Sequence, residues 1–366
     1  KMMKESKNNI ICFIILGWAS NFGYHLMLSS AKKMMNGRAP TTTVLLCDIA
    51  PTFVIKLVYP FIFEKIKLNL KVYTIVLVSI LGFIFGGFSK ESIGCGLTGV
   101  ILQSVAHGLG EIAFLNYSSQ FSTSTVGAWS CGTGIASISS AAIYAILSDV
   151  LNVDQKSILY AFIPIPLLVL EGFWFADPQN SPGQLKETIS MQQSDGTADP
   201  GFKQKFKSLK FVWQPVLSVL LIYVSEYLKN QSVNPIIEFS VFGEKYYTFA
   251  MFAYQTGQFL SRSSLSLFKL PKWSILIPSV LQFGYLVFGC FQAVQLVMDN
   301  VWAMLAFDFV EGIMGGLIYA NGMYYISILS LPEFKKFCLS IGTLSSSTSI
   351  LSAGLLGMWL EPFLKS

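Results

Sequence analysis

Apolar residues run in eleven long blocks between Ile10 and Leu360, separated by short polar turns and by one long polar stretch from Asp177 to Lys207. About 20 predominantly apolar residues carry a helix across the hydrocarbon of a bilayer. The pattern predicts helices over 9–30, 42–63, 71–89, 95–117, 126–148, 157–176, 208–229, 247–263, 273–294, 299–325 and 338–361, called segments 1 to 11 below. The polar stretch divides them 6+5, into an N-terminal bundle over 1–176, a linker over 177–207 and a C-terminal bundle over 208–366. The expected fold class is therefore an all-α polytopic membrane protein with about 11 transmembrane helices.

Composition agrees. The chain is 53% apolar and 12% charged, where a soluble domain carries about 25% charged residues. A net charge of +5 gives no basis for nucleic-acid binding; the expected environment is the lipid bilayer. With the N-terminus cytosolic, sixteen Lys and Arg fall on the cytosolic side and eight on the other, with Lys56 inside segment 2. This is the bias that orients membrane proteins. The outer set includes Lys32, Lys33, Arg38 and Lys229, and an odd number of spans puts the C-terminus on the luminal side.

Enzyme signatures are poor. There are two histidines, no HExxH and no GxSxG. Gly108-Leu-Gly-Glu111 carries Glu where the intramembrane aspartyl protease motif needs Asp, and no Tyr-Asp partner exists elsewhere. The six cysteines lie in or beside apolar segments without a CxxC, which reads as structural thiols and no metal site. No cofactor is expected. Of two glycosylation sequons, only Asn230-Gln-Ser232 falls on the outer side.

Segments 5 and 11 share a spaced set of small residues: Ser130, Gly132, Thr133, Ser137 and Ser139 recur 210 residues on as Ser340, Gly342, Thr343, Ser347 and Ser349. Close helix packing in a membrane selects such residues too. The ionisable residues repeat as well: His25 with Glu226, Lys56 with Arg262, and Glu111 with Glu311, each pair joining segment n to segment n+6. This is the pattern of a parallel, pseudo-two-fold repeat with the last helix missing, as in a major-facilitator-type two-bundle fold. There, segments 1, 4, 7 and 10 line the cavity, 2, 5, 8 and 11 flank it, and 3, 6 and 9 lie outermost. Segments 3 and 9 carry no interior charge, and segment 6 has only Glu171 near its end. A charge at the bilayer centre costs roughly 2.5–3.5 kcal/mol, so the ionic residues must face water or one another.

Two readings stand beside each candidate. Lys56 and Arg262 make an anion site for a phosphate or carboxylate, or else Lys56 pairs with Asp48 or Glu111 and Arg262 anchors the helix at the interface. Glu111 and Glu311, with His107 and Asp308 one turn away, carry protons or a substrate amine, or lock a buried network. His25 and Glu226 serve as an outer gate or proton entry, or as a polar contact. Tyr254, Gln255 and Gln258 form a stripe on segment 8 that contacts substrate or packs the core. Pro51, Pro164, Pro166, Pro215 and Pro278 are expected kinks. The basic run Lys203, Lys205, Lys207 and Lys210 suits the anionic cytosolic leaflet, or a cytosolic partner.

Several segments together resemble the battenin family: Asn21-Phe-Gly-Tyr24, Asp48-Ile-Ala-Pro-Thr-Phe-Val-Ile-Lys56, Gly108-Leu-Gly-Glu-Ile-Ala-Phe114, Trp129-Ser-Cys-Gly-Thr-Gly134, Glu226-Tyr-Leu228, Ser261-Arg-Ser-Ser264 and Glu311-Gly-Ile-Met-Gly-Gly316. They occur in the family's order and cover nearly all the spans. The resemblance implies a major-facilitator-type fold, residence in late endosomes and lysosomes, and a part in clearing glycerophosphodiesters from the lysosome. His107 departs from the family pattern. The resulting expectation is a carrier exporting glycerophosphodiesters or similar phosphoanions by alternating access, with a proton as the candidate coupling ion. Lys56, Arg262, Glu111, Glu311, Tyr254 and Gln258 would bind substrate; Glu226, His25, Asp48, Asp308 and His107 would serve protons or gating. A non-transporting scaffold that regulates lysosomal trafficking and pH, and a nucleoside or basic amino acid carrier, are the alternatives.

Overall fold

The computed structural model describes residues 5–59, 66–118, 120–121, 123–179, 202–240, 243, 245–263, 269–331 and 334–365. Helices lie over every predicted segment: α1 (Lys7–Ser29), a short α2 (Ala31–Met35), α3 (Thr42–Val58), α4 (Leu68–Gly87), α5 (Ile93–Ser118), α6 (Thr123–Ala145), α7 (Gln155–Ala161), α8 (Leu167–Phe175), α9 (Phe202–Leu228), α10 (Tyr246–Ser263), α11 (Ile277–Gln295), α12 (Val301–Leu329) and α13 (Lys335–Lys365). No strand occurs among the described residues.

Among the described residues, seven helices are by themselves long and apolar enough to cross a membrane. The rest fall short for identifiable reasons. Segment 6 is split into α7 and α8 around Pro164 and Pro166, because proline has no N–H and its ring clashes with the preceding turn. α3 has only 17 residues, while α10 and α13 are diluted by tyrosine, glutamine and serine. The helices that miss the threshold thus include two that carry candidate chemistry, α3 with Lys56 and α10 with Arg262.

Pro51 and Pro215 lie inside α3 and α9. Pro278 does not kink a helix: it stands in the first turn of α11, where its missing N–H has no intrahelical partner to lose. Local capping sets other ends. Asn300 accepts from the backbone N–H of Trp302 and Ala303 at 3.1 and 3.2 Å and starts α12; Asp154 accepts from Ser157 N–H and starts α7. α6 and α9 both run into wider π-helical turns, Ile146–Val150 and Lys229–Val233.

Two compact units result: Lys1–Met27, Val54–Ser140 and Val153–Asp199 form one, and Leu28–Phe53, Ala141–Asn152 and Pro200–Ser366 the other. The first unit has its core in Phe13, Leu16, Ile75, Phe114 and Trp129. α1 crosses α6 almost backbone to backbone, since a Cβ on Gly132 would stand 2.2 Å from Ile14 O and one on Gly17 would stand 2.5 Å from Trp129 O. Gly132 of the small-residue repeat is therefore a packing residue. The second unit packs Tyr246, Met304, Val233 and Ala353. Within it Glu361 of α13 accepts from the N–H and hydroxyl of Thr42, both at 3.2 Å, placing a carboxylate at the positive end of α3.

Large apolar side chains point outward, among them Trp273, Trp359 and Phe363, as lipid allows. Burial differs among the spans. The spans Lys272–Gln295 and Leu68–Gly87 are only 28% and 39% buried, against 61% for Lys7–Ser29. Segments 9 and 3 are the peripheral ones.

Candidate functional site

In the first unit the chemistry gathers where α1, α3 and α5 meet. Lys56, near the end of α3, reaches Glu111 of α5 at 2.9 Å, with the two side chains 15% and 21% exposed. Glu111 is one of its two expected structural partners. His107, one helical turn before Glu111, brings Nε2 within 3.8 Å of the same carboxylate oxygen. The ring of Tyr24 stacks on His107 at 4.3 Å and meets His25 edge-on at 4.8 Å. His25, Tyr24, His107, Glu111 and Lys56 thus form one continuous polar strip across three helices.

The second unit holds two further groups. The first surrounds Glu226 on α9. Tyr254 and Gln258, one turn apart on α10, both donate to Glu226 Oε1, Gln258 from 3.2 Å, and Gln258 Nε2 also reaches the Tyr254 hydroxyl at 2.7 Å. The expected polar stripe therefore has a partner. Gln255 lies off it, with Oε1 buried and without a hydrogen bond. Arg262, in the last turn of α10, is close by. It donates to the Tyr223 hydroxyl at 3.2 Å and lies over the Tyr319 ring at 4.6 Å. No carboxylate stands within 4.0 Å of it among the described residues, and its Nε is buried without a hydrogen bond. Close helix contact holds this group together: a Cβ on Gly312 would lie 2.0 Å from Tyr254 O, and one on Gly315 would lie 2.1 Å from Glu226 Oε2.

The second group was not visible in the sequence. Lys229, counted above with the exposed outer cations, is 1% exposed. Its Nζ donates to Asp308 Oδ1 and Glu311 Oε2, both at 2.6 Å. The π-helical turn after α9 turns it inward, and its stem lies along Gly289 of α11. Gln282 donates to Glu311 at 2.7 Å, Tyr246 lies 2.8 Å from Asp308 Oδ2, and Asn230 and Asn234 complete the shell. Glu311 is thus the centre of an ion cluster with Asp308. The available signal was arithmetic: Asp308 and Glu311 put two negative charges on one face of an apolar helix, so a cation had to be found for them. Asn230, with its amide on Glu311, is 3% exposed, which leaves its sequon no room for a glycan.

Asp48 is fully buried in the second unit. Apart from Asp48 and Gln255, the candidates form three groups, one in the first unit and two in the second. The linker lies outside the described residues from 180 to 201, and Lys203 and Lys205 carry no described side chain; Lys207 and Lys210 are exposed. Beyond the spans, two surface pairs link the turns before α5 and α7. Lys156 holds Glu91 below the ordinary carboxylate range by hydrogen bonding at 2.8 Å, and Lys90 does the same for Asp154.

A family model described as CLN3 protein matches residues 11–200 and 180–366. Protein BTN1 of Yarrowia lipolytica is 32% identical over 96% of this chain and 93% of its own length. Protein BTN1 of Debaryomyces hansenii is 30% identical over 100% and 95%. Among solved structures, a POT family transporter in complex with a thioalcohol-conjugated peptide superposes with a TM-score of 0.73 at 11% identity, over 97% of this chain and 91% of that one. A bacterial homologue of the human lysosomal transporter Spinster, inward-facing and unoccupied, gives 0.53 at 13% identity, over 98% and 83%. At such identities the likeness is one of fold: a multi-pass membrane protein built as major-facilitator and POT transporters are.

Proposed function

The chain belongs to the CLN3 (battenin) protein family, and from that premise we propose that it is a carrier of small organic phosphoanions, glycerophosphodiesters foremost, working from the lumen of late endosomes and lysosomes toward the cytosol by alternating access. The observation that carries the anion assignment is Arg262. A guanidinium in the last turn of α10, with no ion-pair partner among the described residues, with Nε unbonded and with one tyrosine ring beneath it, is short of an anion. A phosphate fills that deficit with two parallel hydrogen bonds. Lys56, in the other unit, is a further cation for an anionic solute. In the free protein Glu111 holds it; an arriving phosphodiester exchanges with the carboxylate, and Glu111 is released to take the proton or the head-group amine. Tyr254 and Gln258 then keep Glu226 in place beside Arg262.

The fold supports movement of a solute; the compartment rests on the family resemblance and the substrate on the cations. The test is uptake of labelled glycerophosphocholine or glycerophosphoinositol into proteoliposomes. Wild-type protein accumulates label, whereas Arg262→Ala and Lys56→Ala each lose most uptake and the double variant all of it. Uptake by the double variant equal to wild type rejects the assignment. Arg262→Lys separates charge from geometry: a point charge without the planar fork raises KM more than it lowers kcat.

A further inference from the structure

The cluster around Lys229 is not used by anion binding, and its charges do not balance. Lys229 contributes one positive charge and Asp308 with Glu311 two negative, all three side chains being 0–1% exposed. The neighbouring groups do not correct the deficit. On α9, Glu226 acts electrostatically on Glu311 and is itself an acid, so it brings the cluster no positive charge. α10 presents Tyr246 and Tyr254, α11 presents Gln282 and Tyr285, and the nearest acid of α13, Glu361, is engaged by Thr42 and Lys365. A net charge held out of water in a protein interior is strongly disfavoured unless it is compensated.

We propose that the Lys229–Asp308–Glu311 cluster holds one exchangeable proton, on Asp308 Oδ2, and is a proton-binding site of this carrier. The hydrogen bonds select the atom. Both Glu311 oxygens and Asp308 Oδ1 face nitrogen donors, from Lys229, Gln282, Asn230 and Asn234. Asp308 Oδ2 faces the Tyr246 hydroxyl at 2.8 Å, and a hydroxyl can accept as readily as donate. With the proton on Asp308, Tyr246 turns to receive it and the cluster is neutral. Asn230, bonded to Glu311, and Tyr254, bonded to Glu226, line one cavity of about 10 Å³, close to the room one water needs.

This inference deepens the transport reading, but its test needs no transported solute. The full chain in nanodiscs is followed by thermal unfolding and by infrared difference spectroscopy as pH is raised. In wild type a carboxylic-acid C=O band fades on alkalinisation, and Tm falls over the same interval. The sign follows because the folded state binds the extra proton, so stability drops as pH rises past its release. Asp308→Asn is isosteric with the protonated acid: Tm stays at or above the wild-type acid value, becomes flat with pH, and the band is lost. A lower Asp308→Asn Tm at every pH, with no acid band in wild type, overturns the proposal. Tyr246→Phe provides the check if Asp308→Asn does not fold: the band shifts, and an unmoved band counts equally against it. Should the band behave as expected while glycerophosphodiester uptake is absent, the proton site stands and the substrate assignment falls.

Discussion

Exchanging the charges of Lys56 and Glu111 separates a structural ion pair from a substrate site. At 2.9 Å and an effective dielectric of 20, the gross attraction is about 6 kcal/mol. Desolvation removes most of it, and the 15% and 21% exposure of the side chains leaves some screening by water, so a net coupling of about 2 kcal/mol is expected, within the range for contacting residues. Lys56→Met or Glu111→Gln alone therefore costs about 2 kcal/mol, or about 4–8 °C in Tm for a unit of this size. The double exchange Lys56→Glu, Glu111→Lys rebuilds the pair and returns Tm to within about 3 °C of wild type. Uptake should not return, because the cation now stands on α5 rather than α3. Thermal unfolding of purified variants, followed by proteoliposome uptake, reads both. Single losses that simply add to within about 0.5 kcal/mol refute the pair; uptake restored along with stability refutes the direct role of Lys56 in binding.

Gly312→Ala drives a methyl to 2.0 Å from Tyr254 O, so α10 and α12 must separate; overpacking costs about 1–3 kcal/mol, measured as a lower Tm together with lost uptake. Glu361→Gln weakens the carboxylate cap on Thr42 N–H and lowers stability by about 1 kcal/mol. Treatment with glycosidase leaves the mobility of the chain unchanged at Asn230, so that wild type and Asn230→Gln run alike on a gel. The Lys90–Asp154 and Lys156–Glu91 pairs behave oppositely to the buried cluster. Their carboxyl groups are held below the usual range, so their contribution is present above pH about 4 and fades as pH falls further. Tm of Asp154→Asn should thus match wild type in strong acid and differ only slightly at neutral pH, since exposed pairs contribute little.

The helical segments were legible because membrane insertion reads hydrophobicity locally, and segments 3 and 9, which carry no interior charge, are the least buried of the seven clear spans. The grouping of Glu226 with the stripe on α10 was half legible: the residues stood out, but their common oxygen did not. Lys229 was misplaced because a basic residue just beyond an apolar block looks like an interfacial anchor. Pro278 was misplaced for a similar reason. A proline at the edge of a segment has one meaning inside a helix and another in its first turn, and helix ends are not set by hydropathy.

Hydrophobic length, the polar break and the uneven spread of cations among the loops belong to the chain alone, because each depends on near neighbours and on the lipid solvent. Which acid meets which base does not. Lys229 lies 79 and 82 residues from Asp308 and Glu311, and only the π-helical turn, the glycine at 289 and the packing of α9, α11 and α12 bring those charges within hydrogen-bonding reach. The same packing leaves Arg262 with no carboxylate within 4.0 Å among the described residues. Burial makes an ionic group costly wherever it sits, but tertiary contact alone chooses the partner that makes it tolerable.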